Sequence, residues 1–105
     1  MTLPLVVRRL PGAYDDWLIC MISSQLSQQI PEFDEIISEA DKDFEKSGLK
    51  MPSIIRISRL AIVNKDFLLG SVGSIAPERL DCIKGKLAEW INGRQFQVNF
   101  VPAAG

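Results

Sequence analysis

Trp17-Leu18-Ile19-Cys20-Met21-Ile22 is an unbroken apolar run of strand length, and it constrains the fold of this chain more than any other segment. Side chains alternate across a strand, so a run with no polar position needs cover on both faces, which an interior strand of a sheet has. A membrane helix would need ~20 such residues. No basic stretch followed by an apolar one opens the chain, so neither a span nor a leader is expected. With 105 residues there is room for one core. An apolar share of 47% against 24% charged residues is that of an ordinary packed domain.

The other segments are arranged around that run. Leu3-Pro4-Leu5-Val6-Val7 is short and β-rich, and Pro11-Gly12 with Asp15-Asp16 supplies a turn, which predicts strand, turn, strand. Ser23 to Gln29 with Pro31 reads as a loop, Phe33 to Ile37 as a short strand, and an acidic loop follows to Ser47-Gly48. Ser53 to Ser58 is a strand with Arg56 between apolar neighbours. Ile62-Val63 continues in extended form to a turn at Asn64-Lys65-Asp66, and Phe67 to Val72 is expected to return as the second arm of a hairpin, with Gly70 and Gly73 allowing bends. Pro77 suits a first helical position. Leu80, Ile83, Leu87, Trp90 and Ile91 then recur at helical spacing, so the one long helix is placed at Pro77 to Ile91, before the stop at Asn92-Gly93. Ala76 is a poor N-cap. Gln95 to Phe100 alternates like a half-buried strand, with one apolar face that needs a sheet to cover it. The predicted fold class is therefore mainly β (α+β), a small curved sheet or barrel with one C-terminal amphipathic helix and a further C-terminal strand. Residues 1–93 form the domain and 94–105 a tail.

The chain contains no histidine. Serine–histidine triads, histidine-pair nucleases and histidine metal sites are thereby excluded, and any chemistry must use carboxylates, arginines, hydroxyls or a cofactor. Cys20 and Cys82 lack metal-ligand spacing, argue against zinc, and are read as small core residues in a reducing compartment. Charge is segregated along the chain. Nine acids and only Lys42 lie between Asp15 and Glu45, whereas nine cations against four acids lie between Lys46 and Arg94, which allows a basic face or simply two opposed solvated ones.

Val6-Val7, then Cys20-Met21-Ile22-Ser23-Ser24-Gln25, then Ser47-Gly48-Leu49 leading into Pro52-Ser53-Ile54-Ile55-Arg56, then Arg59-Leu60 through Ile75-Ala76-Pro77-Glu78-Arg79-Leu80, resemble in order the PemK/MazF family of toxin endoribonucleases. The resemblance runs from Leu3 to Ile91, and the combination carries it, since no single piece is long. It implies an SH3-like barrel, a cytoplasmic homodimer, metal-independent cleavage of single-stranded RNA, no cofactor, and inhibition by a cognate antitoxin protein. By the same resemblance Arg56 looks like the family's catalytic arginine, and Ser23-Ser24 like its hydroxyl pair at the end of the central strand. Two departures stand out. Ser58 occupies the place of an aspartate that acts with the arginine, and the family's first strand, with a loop ending in arginine–proline, has no counterpart before Leu3-Pro4.

Those residue types suit the chemistry on their own account. Attack by an RNA 2′-OH builds charge on a five-coordinate phosphorus, which a fixed guanidinium and a hydroxyl can hold. Arg56, Ser23 and Ser58 are thus the candidate catalytic residues, with Ser24, Arg8, Gln25 and Arg59 as RNA contacts. Tyr14 and Trp17 are candidates for base stacking, with the core an alternative for Trp17. A serine is no general base at neutral pH, so an aspartate at position 58 is expected to raise activity. The alternatives are a degenerate, non-catalytic module that dimerises and binds an antitoxin, and an unrelated barrel that binds a protein through its sheet edge. Without the resemblance, Arg56 reads as a surface arginine on the polar side of a strand, paired with an acid such as Glu35.

Overall fold

A computed structural model of the chain describes residues 2–93. The expected tail strand, Gln95 to Phe100, lies outside them. Strands β1 (Thr2–Arg9), β2 (Asp16–Ser23), β3 (Glu35–Ile37) and β4 (Ser53–Asn64) form one antiparallel sheet in the order β1-β2-β4-β3. A short helix, α1 (Phe44–Ser47), precedes β4, and α2 (Pro77–Asn92) closes the described chain. The sheet is curled into half of a small barrel, in keeping with the mainly-β α+β class read from the sequence.

The apolar run is an interior strand, as its composition requires. β2 pairs with β1 on one side and β4 on the other, and both of its faces are covered: Cys20 is fully buried, and Ile19 is 4% exposed. Leu3, Leu5 and Val7 of β1, Leu18, Cys20 and Ile22 of β2, Ile37 of β3, and Ile55 and Ile57 of β4 pack with Ile83 and Leu87 of α2 into the core. Each of those two helix side chains contributes about 1.5–3 kcal/mol by leaving water. The helical stripe fades towards its end, where Trp90 and Ile91 are mostly exposed, although the Trp90 ring lies 6.4 Å from that of Phe33.

Irregularities in the pairing bend the sheet. One lies between Val6 and Arg8. At the other, Cys20 faces Leu60 while Met21 faces Arg56, so that Ile57, Ser58 and Arg59 have no partner on β2. Such bulges re-aim side chains and free backbone groups from the ladder.

Ala76 does lack a capping side chain, and a distant residue does that work. The Asp43 carboxylate accepts from Ala76 N at 2.9 Å and from Arg79 Nε and Nη2 at 2.7 and 3.1 Å. Arg79 also meets Glu35 at 3.2 Å and Asp41 at 3.6 Å, and Lys86 lies 3.5 Å from Glu35. Three acids of the acidic segment, Glu35, Asp41 and Asp43, are therefore tied to α2 rather than spread over a solvated face.

The structure corrects three expectations. Phe67 to Val72 is not a strand: Asn64 caps a single 3₁₀ turn at Lys65–Phe67, Gly70 turns the chain at φ 105°, and Ser74 N donates to Lys46 O at 2.8 Å, drawing the segment onto α1. Gly73 permits this contact, since a Cβ there would collide with the Lys46 and Ser47 carbonyl oxygens. Phe33 and Asp34 belong to a turn, and β3 starts only at Glu35, because Asp34 spends its side chain on backbone N–H groups. Cys82 is exposed, set on α2 beside rather than on the stripe.

Candidate active site

The sheet brings Ser23 and Arg56 to one face. Ser23, the last residue of β2, stands opposite Ile54, and Arg56 lies two residues further along β4, opposite Met21. Such diagonal neighbours are ~7–8 Å apart, within joint reach of one phosphate. Ser23 is 6% exposed, and its Oγ accepts from Gln25 N at 3.1 Å, which turns the chain out of the strand.

That turn starts a loop, residues 24–34, that lies against all three candidate catalytic residues. Arg56 Nη1 donates to Gln28 Oε1 at 3.2 Å. Arg56 Nε is buried with no acceptor among the described residues, at a cost of about 1–3 kcal/mol. Ser58 sits in the bulge of β4, where both its N–H and its hydroxyl donate to Asp34. The hydroxyl lies 3.0 Å from each carboxylate oxygen, and the N–H 3.0 Å from Oδ1. Asp34 Oδ2 also accepts from Ile30 N at 2.9 Å, and Asp34 is 2% exposed. The loop contains Glu32 at φ 67°, a left-handed conformation that a residue with a side chain rarely adopts.

The remaining candidates are scattered. Ser24 is half-buried and lines a cleft with Leu3, Ile22, Leu49 and Ser53. Gln25 and Arg59 are exposed, the latter next to Ser58 in the bulge. Arg8 is exposed opposite Leu18, at the far end of β2 from Ser23, so it is not brought to the other two. Its neighbour Arg9 pairs with Asp15 at 3.1 Å. Tyr14 is exposed, while Trp17 is half-buried and donates to Asp15 at 3.0 Å.

Two expectations change here. The acid suggested as a partner for Arg56, Glu35, is instead engaged by Arg79 and Lys86, since on β3 it stands opposite Ile55 and so on the other face. Ser58 donates to the Asp34 carboxylate, so an aspartate at position 58 would meet a like charge. Asp34 and Gln28 carry little signal in the sequence: Asp34 is one of two acids, with Glu35, between Phe33 and the apolar pair Ile36-Ile37. The Cys20 thiol is inert as a nucleophile: burial pushes it up to about 12, and the charge of Asp34 adds to the effect.

Compared with known families, residues 4–91 match the model of the PemK-like, MazF-like toxin of type II toxin–antitoxin systems. No curated protein matches the chain. The matched stretch contains Ser23, Arg56, Ser58 and the whole intervening loop.

Proposed function

Since the chain belongs to the PemK-like, MazF-like toxins of type II toxin–antitoxin systems, we propose that it is a metal-independent endoribonuclease that cleaves single-stranded RNA. It works in the cytoplasm as a homodimer and is restrained by a cognate antitoxin protein. The observation that carries this reading is the placement of Ser23 and Arg56 as diagonal neighbours on one sheet face, with a guanidinium N–H that lacks an acceptor among the described residues.

In the proposed reaction the RNA 2′-oxygen attacks the adjacent phosphorus. The Arg56 guanidinium takes the non-bridging oxygens as their charge rises, and the Ser23 hydroxyl, positioned by the end of β2, contacts the same group. Gln28 occupies one edge of the guanidinium at 3.2 Å, so substrate exchanges a neutral acceptor for a charged one, a stronger hydrogen bond. Ser24 and Gln25, which follow Ser23 in the chain, and Arg59, beside Ser58 in the bulge, serve as RNA contacts. Arg8, at the other end of β2, reaches only a longer strand of RNA.

Arg56→Ala is expected to lower cleavage by roughly 10²–10³-fold. Its folded spectrum should be retained, because among the described residues the side chain makes one hydrogen bond, to Gln28. Unchanged cleavage by Arg56→Ala would remove the assignment. A second reading, a non-catalytic module that binds an antitoxin, draws support from that same contact, since Gln28 sits where a phosphate would. It is the reading to adopt if the folded wild-type protein leaves RNA intact but still binds its antitoxin.

A further inference from the structure

Cleavage by a 2′-OH needs a proton acceptor, and this chain has neither a histidine nor a carboxylate on β4 beside Arg56. Resting on the endoribonuclease reading, we propose that Asp34 takes that proton through Ser58, as a two-residue relay. Ser58 Oγ lies 3.0 Å from both carboxylate oxygens, so its own hydrogen already points at Asp34 and its lone pairs face away from it. Ser58 is half-buried and Asp34 is 2% exposed, which leaves the hydroxyl as the end of the pair that substrate can touch. Ile30 N at 2.9 Å and Ser58 N at 3.0 Å hold the carboxylate in register with the hydroxyl. The bulge of β4 makes this arrangement possible, because a Ser58 N–H paired in the ladder could not turn to Asp34. Glu35, Asp41 and Asp43 are otherwise engaged, since all three face Arg79.

The O2′–P bond forms as the 2′-OH proton passes to Ser58 Oγ and the Ser58 proton passes to an Asp34 carboxylate oxygen. The P–O5′ bond breaks, the departing 5′-oxygen takes a proton from water, and the hydroxide left takes the proton back from Asp34 through Ser58, which restores the pair as it was. Ser58 is then the catalytic residue that touches substrate, and Asp34 is the positioning residue behind it.

The test measures kcat and KM on a single-stranded RNA for wild type, Asp34→Asn, Ser58→Ala and the double variant, with a thermal midpoint for each. Each single change should lower kcat by about 10²-fold or more with KM nearly unchanged, and the double variant should be no worse than the poorer single, because both interrupt one relay. Ser58→Ala leaves Asp34 its two backbone donors, so it reads the relay even if Asp34→Asn fails to fold. The exchange variant Asp34→Ser with Ser58→Asp should recover part of the lost kcat. Losses confined to KM or midpoint, losses that multiply, or an unaffected Ser58→Ala would overturn the relay. If cleavage remains sensitive to Arg56→Ala in those cases, the endoribonuclease reading stands. A folded wild type that cuts no RNA would overturn both.

Discussion

Ser58 changes meaning once its neighbour is known. An aspartate there was expected to supply a missing base, but Asp34 already lies 3.0 Å from the Ser58 hydroxyl and is buried. Ser58→Asp should therefore bring two carboxylates into one dry site, destabilise the fold by about 1–3 kcal/mol, and raise no activity. Chemical denaturation with a parallel cleavage assay checks this, and a variant as stable as wild type and more active would refute it. Arg56 and Ser23 were legible from their places at the middle and end of apolar strands. The role of Asp34 was not, because a partnership spanning 24 residues leaves no trace in periodicity.

Among the elements, α2 depends on a carboxylate far from it in sequence. The Arg79 guanidinium, and secondarily Ala76 N, hold the Asp43 carboxyl below its ordinary value. A depressed folded-state pKa means that the ionised form is favoured by folding. This contribution is complete above the usual carboxylate range and is lost as pH falls through the depressed value. Thermal midpoints of wild type should thus drop more steeply under acid than those of Asp43→Asn, which starts lower at neutral pH; parallel pH profiles would contradict the cap. Gly73→Ala should lower the midpoint by several degrees, since its methyl group meets two backbone carbonyls of α1 that cannot rotate away. A midpoint equal to wild type would show that the α1 contact gives way freely. The two long arms of the sheet and α2 could be read from apolar runs, turn residues and helical spacing. The segment 67–72 could not, because its apolar side chains, Leu69 among them at 95% exposed, belong to a loop directed by glycine geometry and by contact with α1.

For the whole molecule, the sheet order leaves β1 and β3 at the edges, and β4 beyond Ile55 has no described partner on its β3 side. Unpaired edges favour association. Light scattering of the full chain is expected to give twice the 11.7 kDa of one copy, and a monomer at working concentration would remove the homodimer. No helix among the described residues is long and apolar enough to cross a membrane. The central claim concerns what the face bearing Ser23, Arg56 and Ser58 does, and one measurement addresses it most directly: incubation of the pure protein with a long single-stranded RNA in excess EDTA, followed by mapping of the fragment ends. Discrete internal cuts with cyclic phosphate on one side and 5′-hydroxyl on the other, absent with Arg56→Ala, are the predicted result. Intact RNA with a folded protein, or cuts that appear only when a divalent metal is restored, would contradict it.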